Sequence, residues 1–289
     1  MTKLWLGTTD RFARLRQIEK LDLETQFREI TGLFYADFQS VMMPQSFNGF
    51  LMTFASPRIS RTLINTGEIE HRVAKRVVDT MLLSSAVMAH GLNAEPGRGA
   101  ARRVNAMHKN YDIHEDDFVA VGCDEIVNSL DLAGRYGWRP VTEKEREAVR
   151  LYYSQQSRAF GSRQPLPDTV AAVQKFWSDY LDKEAAFEPQ NRRLADAVIK
   201  WYKGLVPKPL RRLFITILLA DADPRVIRAC GLRVPPRIFK SLAGMLMRRM
   251  GQKDPIPDNA PNRMQALVAS VYPNGWEVNE LGSHIQAKS

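Results

Sequence analysis

Five histidines occur in the chain, His71, His90, His108, His114 and His284, and His108 has the setting in which an imidazole can do chemistry. Ala101, Val104, Met107, His108 and Tyr111 recur at i, i+3, i+6, i+7 and i+10, one apolar side of a helix, while Arg102, Arg103 and Lys109 point elsewhere. An imidazole on such a face is shielded from water and held on a rigid element, as an axial ligand to a haem iron must be. A core histidine satisfied by a backbone carbonyl fits the same spacing. Both readings stay open on the residues alone.

Arg76 and Thr80 stand four apart and share a helix face, with Asp79 three from Arg76 and able to pair with it. A buried guanidinium there suits a carboxylate, a haem propionate included; a surface Arg–Asp pair is the plainer account. His114, Glu115, Asp116 and Asp117 offer metal-type ligands in a row. They sit at a helix start, where the dipole already calls for acidic residues. No GxGxxG follows a strand, and no GxxxxGK[ST], HExxH or GxSxG occurs, which removes the usual nucleotide-binding and hydrolase classes.

The elements that must position these residues are helices. Leu23, Phe27, Ile30, Phe34 and Phe38 form one stripe with Asp22 as its cap. Between Val41 and Phe54 the period breaks, and the stretch reads as a loop rich in large apolar groups. Ser56-Pro57 opens a helix that Thr66-Gly67 stops, and Glu68 to His90 runs to Gly91. Further helices follow over Asp117 to Gly137, from the capping box Thr142-Glu145 to Gly161, and from Leu166-Pro167-Asp168 through Tyr180. Stripes in 194–205, 210–218 and 238–246 complete the set. Strand-like alternation is nearly absent, apart from a small hairpin expected over Val271 to Val278 around Asn274-Gly275. The reading is one all-α, multi-helix globular domain over 1–251, followed by a polar tail over 252–289.

At 289 residues and 44% hydrophobic, the chain can bury a sizeable core, which excludes disorder and collagen-like classes. Two cysteines, Cys123 and Cys230, cannot build a disulfide framework, and a reducing compartment fits best. The N-terminus lacks the apolar core of a signal peptide, and no apolar run approaches the roughly 20 residues that span a bilayer. A cytoplasmic protein is expected, touching a membrane at its periphery if at all. The formal charge of +9 would suit nucleic acid or an anionic membrane, yet Arg102-Arg103, Arg192-Arg193, Arg211-Arg212 and Arg248-Arg249 lie on separate segments. Solvated helix faces explain them more simply, and no nucleic-acid partner is expected.

Taken in order, Ser56-Pro57-Arg58, Thr66-Gly67, Lys75-Arg76-Val77-Val78-Asp79-Thr80, Gly91, Arg102-Arg103-Val104-Asn105-Ala106-Met107-His108, Gly137-Trp138-Arg139 and Thr142 to Arg146 resemble the MpaB / rubber oxygenase (latex-clearing protein) family, from about Phe34 to about Met250. The resemblance implies an all-helical oxygenase with a globin-like core holding haem b. His108 matches the proximal iron ligand, and Arg76 and Thr80 match the Arg-x-x-x-Thr element near the haem. Where rubber oxygenases carry a lysine before that threonine, this chain has Asp79, as in the MpaB-like branch, which makes Asp79 a candidate catalytic residue beside Arg76 and Thr80. A histidine that many relatives have on the next helix corresponds to Gly122.

The expected function is a haem b-dependent oxygenase in which iron binds O2 and a carbon–carbon double bond of a lipophilic, isoprenoid-like substrate is cleaved. Met42, Met43, Phe47, Phe50 and Phe54 are candidate pocket residues, with plain core as the competing account. The alternative function is a non-catalytic haem- or lipid-binding helical protein.

Overall fold

The computed structural model describes residues 2–261 and 263–283. The chain opens with α1 (Ala13–Lys20) and α2 (Leu23–Asp37), whose N-cap Asp22 accepts from the Thr25 amide at 2.9 Å. After a 3₁₀ turn over Gln39–Met42 comes α3 (Met43–Ala55), where a loop was expected. Pro44 sits in its first turn, where its missing N–H costs nothing. Its period is blurred because the apolar Met43 and Phe50 stand with Ser46 and Thr53 on the outer side, while the buried face, Phe47, Asn48, Leu51, Met52, Phe54 and Ala55, includes a polar residue. These side chains are core, as the plainer reading of the aromatic and methionine run had it; Met43 alone among the five candidate pocket residues is exposed.

Helices α4 (Pro57–Thr66), α5 (Glu68–His71), α6 (Val73–His90) and α7 (Gly97–His108) follow. Gly67 ends α4 with a φ of 67°, a conformation that a β-carbon would strain. Helix α7 stops at His108, one turn short of Tyr111. The long α8 (Glu115–Tyr136) is the axis of the molecule, packed against α3, α9 (Glu143–Ala159), α10 (Val170–Glu184) and α14 (Arg237–Gly251). The Thr142–Glu145 capping box of α9 forms as expected. Helix α10 begins at the Thr169 cap, not at Leu166, because Leu166 is drawn into the core against Gly122. Helices α11 (Pro189–Gly204), α12 (Arg211–Asp221), α13 (Pro224–Ala229) and α15 (Arg263–Val271) complete the fold.

No strand forms among the described residues, so the hairpin expected over 271–278 is replaced by the end of α15, a turn at Asn274-Gly275 and a 3₁₀ turn over Val278–Glu280. An isolated hairpin is marginal in water, and here its apolar residues have a better partner. Tyr272, Trp276, Val278 and the fully buried Leu281 pack onto α6 and α7. The stretch read as a polar tail is therefore laid across the bundle. Among the described residues, no helix is long and apolar enough to cross a membrane.

Several signature residues act in this scaffold. Arg139 reaches from the α8–α9 link to Asp37 of α2 (2.6 Å) and Glu145 of α9 (2.6 Å), all three buried, with its guanidinium over the Phe38 ring at 4.7 Å. Arg58 ties α4 to Asp117 of α8 (2.7 Å) and Glu184 of α10 (2.8 Å).

Candidate functional site

Helices α6 and α7 pack side by side and carry the candidate residues toward the end of α9. A helix leaves its last carbonyls without intrahelical donors, and α7 supplies two side chains to the end of α9. Asn105 Nδ2 donates to the Ala159 carbonyl, and His108 Nδ1 lies 2.8 Å from the Phe160 carbonyl oxygen. A carbonyl can only accept, so Nδ1 carries the proton. The neutral ring then presents Nε2 as a bare lone pair, and Nε2 has no hydrogen-bond partner among the described residues. Phe118 of α8 meets the ring edge-on, with centroids 5.3 Å apart. Burial lowers the His108 pKa, the Phe160 carbonyl opposes this, and the Arg76 charge lowers it further, so the imidazole is neutral at pH 7.

The charge that reaches His108 is that of Arg76, one helix away on α6. Its Nη1 donates to Thr80 Oγ1 at 3.0 Å, and Thr80 in turn donates to the Arg76 carbonyl at 2.8 Å, so the threonine steers the guanidinium. No carboxylate pairs with Arg76 among the described residues, and burial depresses its pKa. The expected Arg76–Asp79 pair does not form. Asp79 is buried and accepts from Lys75 Nζ (2.5 Å), the Gly282 amide (2.7 Å) and the Tyr272 hydroxyl. Both its oxygens are spent on fastening the C-terminal strap. Lys75 also donates to the Gly282 carbonyl (3.2 Å), and Arg103 of α7 to the Leu281 carbonyl (2.8 Å). A β-carbon at Gly282, whose φ is 83°, would collide with the Met107 sulfur, so only glycine lets the strap lie this near the residue next to His108.

What the arrangement offers is one bare imidazole nitrogen for a metal ion and one unpaired guanidinium for a carboxylate, held on adjacent helices. Among the described residues no three His, Cys, Asp or Glu side chains gather as a metal cage. The acidic run at the start of α8 is dispersed: Glu115 pairs with Arg163, Asp117 with Arg58, and His114 accepts from the Asp116 amide as the helix cap. Gly122, which the resemblance aligns with a second histidine, is closed off by Leu166, whose methyl carbons lie 3.0 Å from where a β-carbon would stand. The surface groove walled by Glu95, Arg102 and Glu277 and that walled by Asp182, Phe187 and Arg225 include neither His108 nor Arg76.

Sequence reasoning did not find the Phe160 carbonyl, Phe118 or the strap residues Tyr272 and Gly282. A main-chain acceptor carries no signature of its own, and the strap lies about 200 residues from Asp79 in the chain, at separations of 193 and 203. Nor did it find the acidic pair on α8, Asp124 and Glu125. There Trp177 Nε1 donates to Asp124 (2.8 Å) and Gln45 Nε2 to Glu125 (2.8 Å), beside the Tyr35 and Tyr153 hydroxyls. Burial first, and the neighbouring Glu125 charge second, push the Asp124 carboxyl up to about 7.

Comparison with protein families gives a match over residues 34–250 to the family described as ER-bound oxygenase mpaB/B'/Rubber oxygenase, catalytic domain. Comparison with curated proteins gives no match.

Proposed function

The chain belongs to the mpaB/rubber oxygenase family and carries its oxygenase catalytic domain, and from that premise we propose that it is a haem b-dependent oxygenase acting on a lipophilic substrate with a carbon–carbon double bond. The observation that supports this most is the commitment of His108 Nδ1 to the Phe160 carbonyl. Metal-binding histidines commonly donate their other ring N–H to such an acceptor, which fixes the tautomer and raises the basicity of the ligating nitrogen. The residues fit a haem in two respects: Nε2 of His108 is free to ligate iron, and Arg76, lacking a carboxylate of its own, suits a propionate.

A bound haem would supply oxygen activation. The chain's own residues do the remainder. His108 holds its proton on Nδ1 and keeps the ring in one orientation. Arg76 anchors the carboxylate, and Thr80 holds the guanidinium in register. We place Asp79 as a positioning residue, acting through the strap on the α6–α7 pair. Cleavage of a double bond by O2 puts one oxygen atom into each of two carbonyl products and balances without an outside reductant. The two free, buried cysteines suit the reducing compartment in which we place the protein.

The test is the visible spectrum and pyridine haemochrome of wild type and His108→Ala, both expressed with a haem precursor. Wild type should bind about one haem b per chain, and the alanine variant should lose it. Unchanged haem content and spectrum in the variant would refute the ligand assignment. Haem binding without oxygen uptake on unsaturated lipids would favour the carrier reading.

A further inference from the structure

Charge and apolar exposure coincide in one part of the molecule. Residues 197–220 contain five Lys and Arg and no acid, residues 224–253 contain eight and no acid, and only Asp221 and Asp223 lie between. This fifth of the chain therefore exceeds the entire net charge of +9, and the rest is slightly acidic. Both aspartates face inward or locally: Asp221 accepts from Arg135 and Tyr136 of α8, and Asp223 caps α13. The same part of the chain, among the described residues, holds six of the eleven large apolar side chains left exposed, including Leu205 (54%), Leu210 (51%), Ile238 (73%) and Met245 (57%).

The tertiary structure joins what the sequence separates. Arg211-Arg212 and Arg248-Arg249 looked like unrelated surface pairs, yet α12 and α14 pack directly on each other. On α14, Ile238, Ser241, Met245, Arg248 and Arg249 are exposed while Ala243, Gly244 and Met247 face the core. On α12 and the turn before it, Lys208, Leu210, Arg212 and Leu213 are exposed while Ile215 and Leu218 face in. The bundle's needs are met by the inner residues, so nothing in its packing accounts for the outer aliphatics.

We propose that the outer face of α12 and α14 docks on an anionic phospholipid membrane, its aliphatic side chains entering the interface and its Lys and Arg meeting the phosphates. Apolar residues flanked by cations on an interfacial helix are the pattern of in-plane membrane binding. A second copy of the chain fits poorly, because pairing this face with itself would oppose two cationic surfaces. Nucleic acid would use the charges but gain nothing from Ile238, Met245, Leu210 and Leu213. The proposal does not depend on the oxygenase reading, although a membrane surface would also be where a lipophilic substrate is met.

The full chain is mixed with vesicles of phosphatidylcholine alone, or with about a third phosphatidylglycerol, and co-sedimented in low and high salt. Binding should be at least about tenfold stronger to the anionic vesicles and should weaken with salt. Two double variants at exposed positions, Ile238→Ser with Met245→Ser and Arg212→Glu with Arg249→Glu, should each lower it by about tenfold while leaving the helical circular dichroism and haem content unchanged. Absence of binding to anionic vesicles overturns the proposal. So does full binding by the serine variant, which would mean adsorption through charge alone. A dimer that the serine variant splits would assign the face to a second copy instead, and competition by RNA that leaves the serine variant unaffected would assign it to nucleic acid.

Discussion

Replacing Asp79 with Asn removes one charge from a buried site and leaves its shape nearly unchanged. The carboxylate takes three donors, Lys75 Nζ at 2.5 Å, the Gly282 amide at 2.7 Å and the Tyr272 hydroxyl, and is itself 2% exposed. Asparagine keeps one acceptor oxygen but turns an NH2 group toward donors and leaves the Lys75 ammonium unneutralised. A hydrogen bond to a charged group contributes about 1.5–3 kcal/mol, so the substitution should cost the strap about 3 kcal/mol. That corresponds to release on the order of 100-fold more often. The loss is local, because the strap's apolar contacts form their own cluster on α6 and α7, apart from the core around α8. Hydrogen exchange should show protection falling by on the order of 100-fold across 272–283 while the amides of α8 and α9 stay protected. With the strap released from its place beside Met107, the variant should also lose haem faster than wild type. Unchanged protection in 272–283 would refute the assignment of Asp79 as the anchor.

Two further outcomes follow from desolvated charges. Arg76→Gln removes a half-buried guanidinium that no carboxylate pairs with among the described residues, so the haem-free chain should become more stable to urea while haem retention falls; a less stable apoprotein would show that the charges of Asp79 and Glu68 outweigh the desolvation. Asp124 has its carboxyl raised from 3.8 to about 7 by burial, so its neutral form is the one the fold favours. Its contribution to stability is complete below about pH 4 and is lost as the pH rises through about 7, up to about 4 kcal/mol in all. Asp124→Asn keeps an oxygen for Trp177 and does not titrate, so its stability relative to wild type should improve by about 3 kcal/mol from about pH 5 to about pH 8; a flat difference would refute the buried-acid account.

Much of the helical scaffold is legible without coordinates, because caps and stripes act within one or two turns. Asp22, the Thr142–Glu145 box and the stops at Gly67 and Gly91 each bear directly on residues three or four away. The misreadings have physical causes of the opposite kind. Helix α3 carries Asn48 on its buried face and Met43 and Phe50 on its outer one, which blurs its period. The residues around Asn274-Gly275 carry a good hairpin signal, but with no sheet to join they pack onto α6 and α7. The pairing expected between Arg76 and Asp79 was a sound local inference, displaced by Lys75 and by donors some 200 residues downstream.

Periodicity within single segments therefore establishes an all-helical chain, places His108 on an apolar helix face and puts Arg76 and Thr80 together on another, since a helical period needs only nearest neighbours. Which nitrogen of His108 is free is settled by folding, because the Phe160 carbonyl comes from 52 residues away. Folding also leaves Arg76 with no paired carboxylate among the described residues, gives Asp79 to the strap and joins two separate arginine pairs on α12 and α14. Charge state, tautomer and shared surface depend on which distant segments are brought into contact, and in this chain that is settled by packing around α8.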